Sequence, residues 1–219
     1  MIHKLKDIVR KSTLYLRYKE WKYKRREKKE LINWEKKGRP APPPHLIKQQ
    51  ALRHFAEKFK LEVLVETGTY FGDMVEAMRP YFTQIYSIEL SRELFQKAME
   101  RFNNVKNVTI IHGDSGVELE KLTCVLKGKS VLFWLDGHYS AGVTARGDKD
   151  TPIYEELTHI FNADLGRCVI LIDDARCFGD DPAYPSIEEL SGFIKENSPA
   201  AEIEVKDDSI RIIPIEEPV

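Results

Sequence analysis

The sequence predicts an α/β fold with a mostly parallel sheet, helices on both faces and an antiparallel hairpin near the carboxyl end. Strand-like apolar runs begin near residues 61, 84, 107 and 130, at intervals of 23 residues, and a fifth begins near residue 167. Helical patterns separate these runs, and such alternation indicates crossover connections between parallel strands. The alternating segment A-E-I-E-V-K-D-D-S-I-R-I-I-P-I, at residues 201–215, predicts a hairpin that turns at its two central aspartates.

The first 39 residues differ in charge from the rest of the chain. They contain 15 Lys and Arg against five acidic residues, about +10, although the whole chain has a formal net charge of −1. Their apolar residues follow helical spacing loosely, which predicts one or two helices with a basic face and a thin apolar stripe. Such a segment suits an anionic membrane surface, nucleic acid or a partner subunit, and a solvated helix docked on the body fits equally well.

A proline-rich stretch separates this basic arm from the body. Residues 40–44 read P-A-P-P-P, the composition of a stiff extended linker. We therefore expect an arm at residues 1–39, a linker at 40–44 and a folded domain at 45–219. No apolar run is long enough to span a bilayer, and the three cysteines lack C-x-x-C spacing, which favours free thiols in a reducing compartment. These features predict a cytoplasmic protein, with peripheral attachment to a membrane through the arm as a further option.

Each predicted parallel strand ends at or next to a carboxylate. These residues are Glu66, Glu89, Asp114, Asp136 and the adjacent pair Asp173 and Asp174. Parallel strands end at one edge of their sheet, and open α/β sheets bind ligands at that edge, so we expect a single acidic crevice. The turn after the first strand has no G-K-[ST], which excludes a P-loop, and its G-x-x-x-G spacing matches the dinucleotide fingerprint poorly. Acidic groups without a phosphate clamp favour a cationic nucleoside.

Three of these positions suit particular parts of such a nucleoside. Glu89 ends the second strand, where an acid can accept hydrogen bonds from both hydroxyls of a ribose. Asp114 and Ser115 are placed to receive an adenine amine. Glu66 is placed to meet an ammonium group, either directly or through water.

Four motifs carry a resemblance to a known family. In order, E-T-G-T-Y-F-G, S-I-E-L, H-G-D-S and W-L-D-G-H resemble the cofactor motifs of Rossmann-like, class I, S-adenosylmethionine-dependent methyltransferases. The resemblance covers roughly residues 61–215 and leaves the basic arm uncovered. It implies S-adenosylmethionine as cofactor. The residues that would hold its methionine end are Glu66, Gly68, Thr69, Tyr70 and Gly72. Glu89 would bind the ribose, Asp114 and Ser115 would bind the adenine, and Asp136 would lie beside the cofactor. Tyr70 stands where the family has a glycine, so the geometry of the turn stays open.

Two further motifs are similar to those of the divalent-metal-dependent O-methyltransferases, including enzymes that act on macrolide sugars. They are D-G-H-Y at residues 136–139 and I-D-D at residues 172–174. The similarity implies that Asp136, Asp173 and Asp174 bind Mg²⁺, which would hold the hydroxyls of the acceptor and lower their pKa. His138 is then the candidate general base. Without a metal, Asp136 would only orient the cofactor and His138 would be a solvated histidine of the 137–151 loop, the candidate lid.

The leading hypothesis is therefore O-methylation of a sugar or small-metabolite hydroxyl. The sequence leaves the oligomeric state open, with a homo-oligomer as one option. One alternative, less favoured, is an RNA methyltransferase that binds nucleic acid through the basic arm. Another is a non-catalytic interaction protein whose crevice is vestigial.

Overall fold

The computed structural model describes residues 13–136, 151–181 and 183–214. The chain divides into two compact units, Met1–Lys48 and Gln49–Val219. The first unit contains the long helix α1, Thr13–Lys36. After this helix the chain turns back on itself, and the buried Trp34 donates a hydrogen bond from Nε1 to the carbonyl oxygen of Pro40 at 2.7 Å.

One exposed part of α1 combines aromatic and basic side chains. The rings of Tyr18 and Trp21 stack with centroids 6.2 Å apart, and the Arg25 guanidinium lies 5.3 Å from the centroid of the Trp21 ring. More than half of each aromatic side chain is exposed. Among the helices that the structure describes, none is both long enough and apolar enough to cross a membrane.

The second unit is built on seven strands. After α1 the elements are, in chain order, α2 (His45–Phe59, which begins in the first unit), β1 (Val63–Thr67), α3 (Asp73–Met78), β2 (Gln84–Glu89), α4 (Arg92–Phe102), β3 (Val108–His112), α5 (Ser115–Val125), β4 (Val131–Leu135), α6 (Ile153–Phe161), β5 (Cys168–Ile172), a 3₁₀ turn (Ala175–Cys177), α7 (Ile187–Asn197), β6 (Ala201–Lys206) and β7 (Ser209–Pro214).

The strands form one sheet in the order β3-β2-β1-β4-β5-β7-β6. Strands β1 to β5 are parallel, whereas β7 pairs antiparallel with both β5 and β6. The hairpin turns at Asp207 and Asp208, which have φ angles of 49° and 60°, as the central residues of a type I′ turn require. The predicted parallel sheet with a terminal antiparallel hairpin is confirmed.

Helices cover both faces of the sheet, as the alternation of apolar runs predicts. In β1, Val63 and Val65 pack into one apolar cluster and Leu64 packs into the other, because successive side chains of a strand point to opposite faces. Helices α2, α3 and α4 contribute to the Leu64 cluster, and α5, α6 and α7 contribute to the opposite one. The parallel pairing of β1 to β5 places their carboxyl ends at one edge of the sheet, where the candidate site lies.

Candidate active site

Glu66 is buried near the carboxyl end of β1 and forms the end of a buried hydrogen-bond chain. It is opposite Ser87 in the β1–β2 register, and the Ser87 hydroxyl donates to Glu66 Oε2. The hydroxyls of Thr69 and Ser87 are 2.6 Å apart, so Thr69 can donate to Ser87 in turn. Burial raises the pKa of Glu66 to about 8, the hydrogen bond from Ser87 opposes this rise, and the charges of Asp136 and Glu89 add to it. Glu66 is therefore a proton-holding group at neutral pH.

The turn after β1 has left-handed backbone at three positions. Gly68, Tyr70 and Gly72 have φ angles of 85°, 50° and 76°. Glycine adopts such angles without steric cost, whereas Tyr70 does so at a cost of roughly 1 kcal/mol or more. The amide of Tyr70 donates to Glu89 Oε2 at 2.8 Å, which holds this conformation in place. Tyr70 therefore adopts a left-handed backbone conformation that glycine adopts more readily.

Glu89 ties this turn to the start of α4. Its Oε2 accepts from the amide of Tyr70 and its Oε1 accepts from the amide of Ser91, both at 2.8 Å. Burial raises the pKa of Glu89, while these two backbone donors oppose the rise. A carboxylate has about four acceptor positions, so Glu89 retains capacity for the two hydroxyls of a ribose.

Asp114 and Ser115 lie at the amino end of α5. Asp114 caps the helix, and its Oδ1 accepts from the amide of Gly116 at 2.9 Å. Both Asp114 and Ser115 are half-buried, so polar atoms of the first helical turn are available to a ligand in the crevice.

Glu156 of α6 was not predicted as a site residue, yet its carboxyl group is buried next to Asp114 and Ser115. Only 2% of Glu156 is exposed. Burial raises its pKa to about 7, interactions with the hydroxyls of Ser115 and Thr67 oppose the rise, and the charges of Asp114 and Glu155 add to it. Within the described ranges, Glu156 Oε1 and Thr67 Oγ1 have no well-aligned hydrogen-bond partner. Nothing in the local pattern distinguishes Glu156 from an ordinary acid in the first turn of a helix.

Three carboxylates meet where β4 and β5 end. One oxygen each from Asp136, Asp173 and Asp174 can be chosen so that all three lie within 4.8 Å of one another. Backbone hydrogen bonds fix two of these positions, from the Asp136 amide to the carbonyl of Thr67 at 3.1 Å and from the Asp173 amide to the carbonyl of Leu135 at 2.9 Å. Carboxylate oxygens at this spacing fit a hard divalent cation such as Mg²⁺.

A loop after β5 adds an aromatic group near the three carboxylates. The rings of Phe178 and Tyr184 meet edge to face with centroids 5.2 Å apart. Burial raises the pKa of the half-buried Tyr184, and the charges of Cys177 and of nearby aspartates, including Asp174 and Asp136, contribute. Tyr184 thus stays a neutral phenol that can donate a hydrogen bond. The motif D-P-A-Y, at residues 181–184, does not by itself predict that Tyr184 lies near these carboxylates, because tertiary contacts place the loop.

The candidate base His138 lies outside the described residues, as does most of the candidate lid. The other predicted site residues occupy two parts of one sheet edge. Glu66, the 68–72 turn, Glu89, Asp114 and Ser115 surround the ends of β1, β2 and β3, while Asp136, Asp173 and Asp174 lie at the ends of β4 and β5. Such an edge can hold a nucleoside on one side and a cation with a second substrate on the other.

Solved structures that match this chain include methyltransferases. The SAH-bound methyltransferase PaMTH1 of Podospora anserina matches with a TM-score of 0.54 and 18% identity, over 77% of this chain and 78% of that one. The chain has the Rossmann-like fold of S-adenosylmethionine-dependent methyltransferases. The N-methyltransferase NodS of Bradyrhizobium japonicum WM9 matches with a TM-score of 0.54 and 11% identity, over 78% of this chain and 97% of that one.

A candidate caffeoyl-CoA O-methyltransferase of Staphylococcus aureus matches with a TM-score of 0.50 and 14% identity, over 76% of this chain and 83% of that one. No protein-family model and no curated protein sequence matches the chain. The matched structures include N- and O-methyltransferases, so the fold alone does not determine the acceptor atom.

Proposed function

We propose that this protein transfers a methyl group from S-adenosylmethionine to a hydroxyl of a sugar or small metabolite, assisted by a divalent cation. The carboxylate cluster of Asp136, Asp173 and Asp174 carries the proposal. It lies on the same sheet edge as the 66–72 turn and Glu89, so a donor and a metal-bound acceptor would be neighbours. A cluster of hard oxygen ligands favours an oxygen acceptor over a nitrogen acceptor.

The residues of the chain would act mainly by positioning. Glu89 and the left-handed turn would hold the ribose and the amino acid end of the donor, and Glu66 would meet its ammonium group. The bound donor would supply an electrophilic methyl group, and the bound cation would lower the pKa of the acceptor hydroxyl. Asp136, Asp173 and Asp174 would hold that cation, and correct alignment is worth up to about 7–11 kcal/mol of the barrier. His138 stays the proposed base.

Calorimetry with S-adenosylmethionine, with and without Mg²⁺, tests the donor site first. Binding under neither condition would refute the proposal. Asp173→Ala should then abolish transfer of labelled methyl groups to candidate saccharides and leave the affinity for the donor unchanged. Asp164→Ala is the control, because Asp164 is exposed and forms a surface ion pair with Lys127 at 3.0 Å. Unchanged turnover in Asp173→Ala would refute the metal-assisted mechanism.

For the amino-terminal helix we propose contact with an anionic membrane surface. The exposed Tyr18 and Trp21 are residues that favour membrane interfaces, and Arg25 and its basic neighbours would meet lipid phosphates. The whole protein should sediment with vesicles that contain phosphatidylglycerol and not with pure phosphatidylcholine, and Trp21→Ala should weaken this binding. Salt-sensitive binding to RNA without binding to vesicles would instead support the nucleic-acid alternative.

A further inference from the structure

Arg176 links the carboxylate cluster to the carboxyl-terminal hairpin. It follows Asp174 in the 3₁₀ turn after β5, and its Nη1 donates to Asp174 Oδ1 at 2.7 Å. The same Nη1 donates to Asp208 Oδ2 in the β6–β7 turn. A single guanidinium therefore bridges one aspartate of the cluster and one aspartate of the hairpin.

Backbone contacts fix both ends of this bridge. The amide of Ala175 donates to the carbonyl oxygen of Asp208, and the amide of Arg176 donates to Asp208 Oδ1, each at 2.9 Å. Only 2% of the Asp208 side chain is exposed, against 38% for Arg176. The aspartate that anchors the arginine is thus better buried than the arginine itself.

Asp174 needs such support because its backbone is strained. Its φ and ψ angles of 55° and 46° are left-handed, a conformation that aspartate adopts less readily than glycine. The amide of Asp174 donates to Asp173 Oδ1 at 2.9 Å, so the orientations of the two aspartates are coupled. The contact at Asp174 Oδ1 restricts the rotation of its carboxylate relative to Asp136 and Asp173.

We propose that Arg176, anchored by Asp208, is a positioning residue that orients Asp174 for cation binding. The inference rests on the proposed metal-assisted function and extends it to a residue pair outside the cation-binding set. Groups that orient metal ligands commonly change metal affinity by 10–100-fold when they are replaced.

The sign of the effect separates positioning from simple electrostatics. Arg176 is a positive charge beside three carboxylates, so its removal should strengthen cation binding if charge alone mattered. Removal should weaken binding if Arg176 holds Asp174 in its binding orientation. Lysine keeps the charge but lacks the planar fork of arginine, so Arg176→Lys should restore affinity only in part.

Mn²⁺ binding to the whole protein, measured by electron paramagnetic resonance, provides a readout that is independent of turnover. We expect Arg176→Gln to weaken Mn²⁺ binding by about tenfold or more, and Arg176→Lys to lie between this variant and the wild type. Asp208→Asn keeps Arg176 and introduces a residue that tolerates the left-handed backbone of this turn, and it should also weaken Mn²⁺ binding. Arg79→Gln is the control, because it removes an exposed ion pair with Glu76 on α3. Thermal unfolding of each variant shows whether it is folded.

The outcomes separate this inference from the broader proposal. Unchanged or tighter Mn²⁺ binding in both Arg176→Gln and Asp208→Asn, with wild-type binding present, overturns the positioning role alone. A wild-type protein that binds S-adenosylhomocysteine but no Mn²⁺ overturns both the positioning role and metal assistance, and leaves methyl transfer standing. Absence of binding for both ligands overturns the proposed function together with this inference.

Discussion

Replacement of Glu66 by glutamine should stabilise the protein increasingly as the pH rises from 5 to 8. The pKa of Glu66 is about 8 in the folded chain, against an ordinary value of 4.5 that applies when the chain is unfolded. Below pH 4.5 both states carry the proton, and the group makes no pH-dependent contribution. Between 4.5 and 8 only the unfolded chain releases the proton, so the free energy of unfolding falls as the pH rises. Glutamine has the same shape, accepts from the Ser87 hydroxyl and does not ionise.

The difference of about 3.5 pKa units sets the size of the effect. Each unit corresponds to about 1.4 kcal/mol, which gives an upper limit of about 5 kcal/mol for the full change, reached near pH 8. Because the structure around a buried charge relaxes and admits water, we expect roughly 2–4 kcal/mol between pH 5 and pH 8. The gain should be below about 1 kcal/mol at pH 5 and should vanish well below pH 4.5, where both states carry the proton.

Urea unfolding at pH 5, 6, 7 and 8 measures this difference directly for the wild type and Glu66→Gln. Glu100→Gln is a matched control, since Glu100 is exposed on α4 and its substitution should leave the pH dependence unchanged. A stability difference between wild type and Glu66→Gln that stays constant from pH 5 to pH 8 would show that Glu66 ionises normally in the fold. In that case the buried hydrogen-bond chain would hold a carboxylate at neutral pH, and Glu66 would not be a proton-holding group.

Three further substitutions test other parts of the crevice. Glu156→Gln should raise the unfolding temperature at pH 8 but not at pH 4.5. The pKa of Glu156 is about 7 in the folded chain and 4.5 in the unfolded chain, so the wild type loses stability as the pH rises above 4.5. An equal shift at both pH values would argue against this. Gly72→Ala should destabilise the protein by about 1–3 kcal/mol, since φ is 76° and the new Cβ would lie 2.6 Å from the Phe102 ring. In the same denaturant assay the control Gly192→Ala, a helical position with open space, should stabilise by about 0.5–1 kcal/mol. Asp173→Asn should lower methyl transfer at saturating donor and leave donor affinity unchanged, and equal turnover in both proteins would contradict a role for this carboxylate in cation binding.

The fold was predictable because its signals are local. Buried parallel strands read as short apolar runs, and the even spacing of those runs reflects crossover units of similar length. The placement of the carboxylates along one edge was predictable for the same reason, because a residue that ends a strand takes its position from the sheet. Glu66, Glu89 and Asp136 needed no knowledge of the tertiary structure beyond the order of strands and helices.

Residues placed by tertiary contacts could not be predicted in this way. Glu156 is buried because α6 packs beside the amino end of α5. Arg176 contacts Asp208 because β7 pairs with β5 and brings the hairpin turn next to the 3₁₀ turn. Tyr70 is a different case, in which an unfavourable local backbone angle is maintained by a hydrogen bond to Glu89, 19 residues away in the chain. A motif with glycine at this position records the residue that adopts this backbone angle most readily, but another residue can adopt the same angle when a tertiary contact holds it.

The bridge from Arg176 to Asp208 has a consequence for the order in which the site is completed during synthesis. Strands β1 to β3, with Glu66, Glu89 and Asp114, occupy one continuous stretch of the chain that emerges early from the ribosome. The carboxylate cluster emerges later, and Asp208 follows Arg176 by a further 32 residues. A nascent chain can therefore contain all of the proposed nucleoside site before the proposed cation site is held in place, so we expect the proposed activity to depend on the last hairpin joining the sheet.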